Sequence, residues 1–385
     1  MSEPKRCISI KNRWIISITY TKYNNITEKQ NFLIMDKKIK KIGLLTSGGD
    51  APGMNAAIRA VVRAAIGEGW TVVGFSHGYE GILKLQYQIL DDSTISNILQ
   101  KGGTILKTAR SANFRQEKYQ EDAAVICRRL ELDALVVIGG DGSFKGAAAL
   151  AKFGINVIGI PATIDLDVAS TDYTIGIDTA CNTAINAIDH LRDTSEATDR
   201  CFVIKIMGNK CGLLALHVAL ASGADYCLIP EKHPKVDVEN VVKHLIHRRE
   251  GGKNFHLVIV AEGCLDKNDK HSLNELGDEI AEKSGIETRV YDTGHILRGG
   301  CPTCVDRVNS TKLGSYAISI LKQGVTNSVV AYQNERLVNY SIEDAINMKK
   351  SFDDILYQSF IKMAKIDEWC HKKLFNIWTV FFIYF

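Results

Sequence analysis

The chain reads as an α/β protein of two domains, each a mainly parallel sheet covered by helices, with the strand ends facing a shared cleft. Three observations carry that reading. Apolar runs of strand length recur along the sequence. Most are followed by a glycine-containing turn and then by a segment whose apolar residues recur near every 3.6 positions. The whole alternation occurs twice, once from Lys40 and again from Cys201.

In the first half, Lys41 to Leu45 is an expected buried strand, and Met54 to Gly67 has helical spacing after a glycine turn. Thr71 to Phe75, Leu135 to Ile138 and Asn156 to Ile160 are the next strands. In the second half, Cys201 to Ile206, Tyr226 to Ile229 and His256 to Ala261 are strands, while Gly212 to Ser222 and the amphipathic Asp237 to Arg249 are helices. In such sheets ligands bind beyond the carboxyl ends of the strands, so the informative residues are those just after each strand.

Bulk properties narrow the function classes. With 385 residues the chain holds two or three packed domains, and 45% hydrophobic against 24% charged residues is ordinary globular composition. A net charge of +3, spread along the chain, gives no case for a nucleic-acid partner. No apolar run reaches the ~20 residues that a membrane span requires. The ten cysteines are scattered and no clean secretory signal precedes them, so a reducing, cytoplasmic setting is expected. Cys301-Pro-Thr-Cys304 is a lone CxxC with no second pair, which argues against a zinc site. Residues 1–38 are expected to be an N-terminal extension, and residues 349–385 a C-terminal helix with an apolar tail.

The first strand runs into Thr46-Ser-Gly-Gly-Asp50-Ala-Pro-Gly-Met-Asn55. Gly48 and Gly49 there allow backbone amides to approach an anion, and the helix that follows favours negative charge at its start. A tight strand–helix turn would use the same residues. The segment is neither a Walker A loop nor GxGxxG, which disfavours a dinucleotide dehydrogenase. A second glycine turn, Gly139-Gly140-Asp141-Gly142-Ser143, follows the third strand and adds a carboxylate.

The fourth strand ends in Pro161-Ala-Thr163-Ile-Asp165-Leu-Asp167. In an extended segment Asp165 and Asp167 would share one side. With Asp141 they place three carboxylates at adjacent strand ends, which is costly unless a cation sits among them or a pKa rises. A divalent ion carried by a nucleotide would relieve the repulsion, and one carboxylate could then accept a proton from an attacking hydroxyl. Arg200, Arg289 and Arg298 are candidate cations for a phosphorylated acceptor. His295 and Glu262 are candidate polar contacts to a sugar.

Together these pieces resemble the bacterial-type ATP-dependent 6-phosphofructokinases. The resemblance rests on SGGDAPGMNAAIR (47–59), GGT…AR (102–110), GGDGS (139–143), TIDxD (163–167), DYTIG (172–176), LRDTS (191–195), MGxxCG (207–212), ETR (287–289) and GHIxRGG (294–300), in order from about Lys40 to Met348. It implies two similar three-layer α/β/α domains with the active site in the cleft between them. Residues 39–176 plus about 297–348 would bind ATP, and residues 177–296 would bind fructose 6-phosphate. By the same resemblance, Gly48, Arg110, Gly140, Asp141, Gly142 and Ser143 contact the nucleotide. Asp141 and Asp167 hold Mg²⁺, Thr163 contacts the transferred phosphoryl group, and Asp165 is the general base. Met207, Gly208, Glu262, His295 and Arg298 bind the sugar phosphate. Arg200 and Arg289 reach a neighbouring subunit's substrate, which implies a homotetramer. Arg59, Arg63, Arg192, Asp225 and Lys253 match an effector site for ADP or GDP and phosphoenolpyruvate, with Gln86 where an arginine is usual. Pyrophosphate-dependent relatives carry larger groups where Gly142 and Ala162 stand, so the resemblance favours ATP as donor.

The sequence departs from that pattern near the chemistry. Asn209 stands where the family has an arginine facing the transferring phosphoryl group, a contact worth roughly 2–4 kcal/mol in a transition state. Lys210 is adjacent, but in an extended segment it would point the other way. Leu166 replaces an asparagine between the two aspartates, and Ala162 replaces a glycine. Asp292, Thr293 and Leu297 are unusual beside the GHI segment. These changes leave open a low-activity or regulatory paralogue, or a kinase for another sugar phosphate or donor.

Overall fold

The computed structural model describes residues 39–109, 111–265 and 272–366. Arg110, the extension 1–38 and the tail 367–385 lie outside the described residues, so the expectations placed on them have no structural counterpart below.

The elements alternate as the sequence suggests. The first half contains β1 (Lys41–Thr46), α1 (Met54–Gly67), β2 (Thr71–Phe75), α2 (Gly78–Leu83), β3 (Tyr87–Leu90), α3 (Glu117–Arg129), β4 (Ala134–Gly139), α4 (Asp141–Lys152) and β5 (Val157–Pro161). The long α5 (Ile177–Thr198) leads into β6 (Cys201–Ile206), α6 (Leu213–Ser222), β7 (Tyr226–Leu228), α7 (Val238–Glu250), β8 (His256–Ala261), α8 (Leu273–Ser284) and β9 (Thr288–Asp292). The chain closes with α9 (Cys304–Lys322), β10 (Ser328–Gln333), β11 (Arg336–Ser341), α10 (Ile342–Asn347) and α11 (Asp354–Ala364).

Two sheets result. One has seven strands in the order β11-β10-β5-β4-β1-β2-β3, and the other has four in the order β7-β8-β6-β9. All pairings are parallel except β2 with β3 and β10 with β11, the two edges of the larger sheet. Parallel sheets bury both faces, which is why their strands read as continuous apolar runs. Ile42 and Leu44 of β1 pack on one face with Met54, Ile58 and Val61 of α1 and Leu313 and Ala317 of α9. Leu45, Val137 and Val157 pack on the other face with Ala123 of α3, Phe144 and Ala147 of α4 and Ile342 of α10. The larger sheet is therefore the middle of three layers. The core on the α1–α9 face continues without a break into the second sheet through Ile164, Ile177 and Ile204.

β3 and β9 differ from the buried strands in having exposed or half-buried residues at most positions. They lack the apolar run that marks the others, and the sequence pattern missed them. β10 and β11 return to the first sheet from far along the chain, and β10 pairs with β5 through Ser328 to Ile158. No local periodicity encodes that return.

Candidate active site

The strand order places three loops side by side. β5, β4 and β1 are consecutive neighbours, and the register sets Thr46 beside Ile138 and Gly139 beside Pro161. The loops after these strands carry Gly48 and Gly49, Asp141 to Ser143, and Thr163 to Asp167. Gly48 adopts a left-handed φ of 90°, a conformation that an L side chain resists. Its loop is fastened from below, because the Ser47 amide donates to the Ile138 carbonyl at 2.9 Å. Asn55, buried in the first turn of α1, donates to the carbonyls of Lys101 and Gly102 at 3.1 Å each. Its side-chain oxygen accepts from the Ile105 amide at 2.8 Å. Asn55 thus ties the 102–104 glycine turn to the first loop, a role the sequence reading did not assign.

α4 begins at Asp141, so Asp141, Gly142 and Ser143 form its first turn, where the backbone amides face an incoming anion. Asp141 is paired with Lys145 at 2.6 Å. A side chain added at Gly142 would meet nothing within 4 Å, so this position opens onto free space. Ala162 is different from expectation. It is buried in the core and bridges Ile175, so its small size is also a packing requirement.

The carboxylate loop corrects one expectation. The 163–167 segment is not extended, because Leu166 adopts a left-handed φ of 53°. Its side chain is buried in the core, so the loop is held by apolar packing where a polar support was expected. Thr163 fixes the loop's entrance: its hydroxyl accepts from the Asp165 amide at 3.1 Å, and its carbonyl accepts from the Thr174 hydroxyl at 2.6 Å. Asp165 Oδ1 and Asp167 Oδ1 are both buried without a hydrogen-bond partner. Burial first, and then the charge of Asp167, push the Asp165 carboxyl up to about 6, with Arg298 opposing them and Glu262 adding to the rise. Burial is also the main cause that raises Asp167, opposed by its backbone hydrogen bond and by the charges of Lys350 and Lys145.

The second sheet brings up the remaining residues. β6 and β8 are neighbours with Ile206 beside Ala261, so Met207 and Gly208 lie next to Glu262. Glu262 Oε2 accepts from the Asn209 amide at 3.2 Å. Gly208 and Asn209 have φ of 151° and 54°, so this segment is not extended either. The sharp turn directs Lys210 to the wall of a cavity that Asp167 also lines. Lys210 itself is exposed.

After β9 a short helical turn (Gly294–Arg298) presents His295 and Arg298. The residues that looked unusual here build that turn. Asp292 pairs with Lys205 at 2.5 Å and accepts from the Gly294 amide at 2.9 Å. The Thr293 hydroxyl donates to the Lys205 carbonyl at 2.8 Å, and Leu297 is fully buried. Arg298 then crosses to the first sheet's loops, donating to the Asp50 carbonyl at 3.3 Å and standing 3.9 Å from Asp165 Oδ1. It packs so close to Gly49 that an added Cβ would lie 2.3 Å from its guanidinium.

Three groups of expected site residues lie elsewhere. Arg200 and Arg289 meet each other through Glu287, at 3.0 and 2.7 Å, but at the amino ends of β6 and β9, the opposite end of that sheet from Met207 and Glu262. Asp225 is buried and paired with Lys253 at 2.6 Å and Arg248 at 3.5 Å, with Arg192 nearby on the Ser222 carbonyl. Arg59 and Arg63 sit on α1, where Arg63 pairs with Asp92 at 3.4 Å. Within the described residues neither is bonded to the Asp225 group. Asp306 was missed altogether. Fully buried, it accepts from the Tyr173 hydroxyl, from the Gly176 and Thr179 amides at 2.9 and 2.7 Å, and from the Thr179 hydroxyl, so that α9 is locked to the start of α5. Its Thr303 N-cap is legible in sequence as a helix start, but the distant partners are not.

No group of three or more potential metal ligands converges among the described residues. The two orphaned aspartate oxygens nonetheless suit a hard cation that arrives with phosphate oxygens and is held by only one or two carboxylates.

Comparison with known proteins agrees with this geometry. Residues 41–321 match the family described as Phosphofructokinase. An ATP-dependent 6-phosphofructokinase of Clostridium botulinum is 46% identical over 327 residues, covering 85% of this chain and all of the relative. ATP-dependent 6-phosphofructokinase 1 of Clostridium perfringens is 44% identical over 320 residues, covering 83% of this chain and 98% of the relative. Among solved structures, the phosphofructokinase of Saccharomyces cerevisiae superposes with a TM-score of 0.74 at 31% identity over 84% of this chain. That of Pichia pastoris in the T-state gives 0.77 at 32% over 86%. The chain spans 48% and 38% of the lengths of these two yeast chains. A pyrophosphate-dependent phosphofructokinase from Nitrosospira multiformis shares the fold, with a TM-score of 0.72 at 18% identity. With the family match covering most of its length and close relatives aligned along their full extent, the chain belongs to the phosphofructokinase family.

Proposed function

We propose that this chain is an ATP-dependent 6-phosphofructokinase in which Asp165 is the general base, passing the terminal phosphoryl group of ATP to the 1-hydroxyl of fructose 6-phosphate and releasing fructose 1,6-bisphosphate and ADP. The observation that carries the reading is the place of Asp165. Its buried carboxyl lies where the loops of both sheets meet, is raised to about 6, and stands beside Arg298. A base poised near neutrality is suited to take a proton from a sugar hydroxyl at physiological pH.

The other residues take the roles that the resemblance to the family implies. The amides of the Gly48 loop and of Gly140 to Ser143 cradle the nucleotide phosphates, and Arg110 is assigned there from the sequence alone. Thr163 contacts the transferred group. Met207, Gly208, Glu262 and His295 hold the sugar, with Arg298 on its phosphate. Mg²⁺ would be held by Asp141 and Asp167, and when bound it supplies charge neutralisation between the phosphate oxygens. The open space beside Gly142 supports a nucleotide donor. Residues 39–176 with about 297–348 form the ATP side, and residues 177–296 the sugar side. Arg200 and Arg289, remote from this chain's own cleft, serve a neighbouring subunit in a homotetramer. Arg59, Arg63, Arg192, Asp225 and Lys253 form an effector site for ADP or GDP and phosphoenolpyruvate. The setting is cytoplasmic; no helix among the described residues is long and apolar enough to cross a membrane.

Asn209 favours a second reading, a slower or regulatory member of the family. It is exposed and brings no cation to the position where the family pattern has an arginine. A coupled assay for fructose 1,6-bisphosphate, comparing Mg-ATP with pyrophosphate, decides between them. Turnover with ATP alone is expected. A folded, ATP-binding protein that turns over neither donor would establish the second reading.

A further inference from the structure

The loop that carries Asp165 and Asp167 is fastened at both ends, and the second fastening comes from a distant part of the chain. Its entrance is fixed by Thr163, as described above. At its exit, the Lys350 ammonium donates to the Thr171 carbonyl at 2.7 Å and to the Val168 carbonyl at 3.3 Å. Val168 directly follows Asp167. The Thr171 hydroxyl also donates to the Tyr332 carbonyl of β10 at 3.1 Å, a second long-range tie at this exit, but no other side chain donates to Val168 among the described residues.

Lys350 belongs to the 348–353 connection between α10, which packs on the first sheet, and α11, which packs on α6. Beyond Lys350 this strap is held to the second sheet's side. Lys232 pairs with Asp354 at 2.8 Å and lies over the rings of Phe352 and Tyr357 at 4.7 and 5.1 Å. Lys350 and Asp167 line the same cavity of about 200 Å³, together with Lys210, Cys211, Glu231 and Phe352. The strap therefore delivers one half-buried cation to the rear of the carboxylate loop.

We propose that Lys350 is a positioning residue for phosphoryl transfer: it pins the exit of the 163–171 loop and offsets the charge of Asp167, so that Asp165 and Asp167 stay in register with the phosphate loops. The inference rests on the roles proposed above for these two aspartates. An ammonium suits the task because two of its three donors satisfy carbonyls while its charge remains available to a carboxylate.

The test measures kcat and both KM values for Lys350→Met, Lys350→Arg, Asp354→Ala and Asp165→Ser, with melting temperatures. Misplacing reacting groups by about 1 Å costs about 100-fold, so Lys350→Met is expected to lose about that factor in kcat while both KM values stay within about twofold. Lys350→Arg, which keeps the charge and the donors, is expected to recover most of the loss. Asp354→Ala loosens the same strap without touching the loop, and is expected to lower the melting temperature and leave kcat near wild type. Lys350→Gln replaces Lys350→Met if that variant does not fold, and is expected to show the same kcat loss. A Lys350→Met enzyme with nearly wild-type kcat would overturn the inference. So would an Asp354→Ala enzyme equally impaired in kcat, or a failure of Lys350→Arg to recover activity. If Asp165→Ser abolishes turnover while Lys350→Met does not, only the inference falls. Full turnover in Asp165→Ser would remove the assignment of the base together with it.

Discussion

The Arg298 guanidinium stands 3.9 Å from the Asp165 carboxylate, which is too far for a hydrogen bond and close enough for charge to act on it. Asp165 is raised to about 6, by burial first and the Asp167 charge second, and Arg298 opposes both. The base must be ionised to accept a proton, so activity rises with pH through about 6 in the free enzyme. Arg298→Ala removes the opposing charge. The acid limb of kcat/KM is then expected to move to higher pH, with a higher KM for fructose 6-phosphate. A pH–rate profile in which the limb stays in place would disconnect the two residues.

Leu166 sets two energies against each other. A non-glycine residue in the left-handed region costs roughly 1–2 kcal/mol. Burying a leucine side chain is worth roughly 1.5–3 kcal/mol. Packing therefore wins by a small margin, and Leu166→Asn is expected to lower the melting temperature and leave turnover no higher. A gain in melting temperature would show that backbone strain dominates.

Asn209 suits its φ of 54°, a region that asparagine tolerates better than arginine does. Asn209→Arg is expected to raise kcat at least about 30-fold by restoring a charge-assisted contact worth roughly 2–4 kcal/mol to the transferring group. The same change is expected to lower the melting temperature slightly. An unchanged or lower kcat would mean that this position does not limit the reaction and that Lys210, on the wall beside Asp167, already meets the need for charge.

The remote pair Arg200 and Arg289 predicts shared sites. Neither the Asp165→Ser nor the Arg289→Ala variant should turn over well alone. Subunits of the two variants mixed in equal amounts should regain roughly a quarter of the wild-type sites, since each such site takes an intact group from each of two subunits. Activity that stays at the level of the separate variants would place the two arginines outside catalysis.

Acid sensitivity is expected from the second sheet. His244 is buried beside Tyr226, and burial is the main cause that pushes its imidazole down to about 4. The unfolded chain takes up this proton near pH 6.5, so the stabilisation is complete above that pH and is lost as pH falls toward 4. By pH 5 the loss is about 2 kcal/mol. Asp225 next to it would be raised by burial alone, but His256 and Lys253 carry it down to about 2, so its own loss falls at lower pH. His244→Phe is expected to lose less melting temperature between pH 7 and pH 5 than the wild type does. Equal losses would assign the acid sensitivity to other groups.

Much of this fold is local and was legible. β1, β2, β4 to β8, α1, α6 and α7 announce themselves by apolar runs and helical spacing, because a strand buried on both faces and a helix with one buried face each impose a short period on the sequence. The loop residues Gly48, Asp141, Thr163 and Asp165 were legible for the same reason, since they follow directly after such strands. The edge strands β3 and β9 were not, because most of their positions are exposed or half-buried and impose no continuous apolar run on the sequence.

The amino-acid sequence by itself therefore determined the alternation of elements, the residues at the strand ends and the kinship of the chain. Tertiary structure alone decided which distant groups meet. Arg298 reaches Asp165 across 133 positions, and Lys350 reaches Thr171 across 179. It also decided that Leu166 and Asn209 would turn left-handed, so that neither segment is extended. Periodicity and turn chemistry act over a few residues. Proximity across the chain comes from packing two sheets on one continuous core, and no short pattern records it.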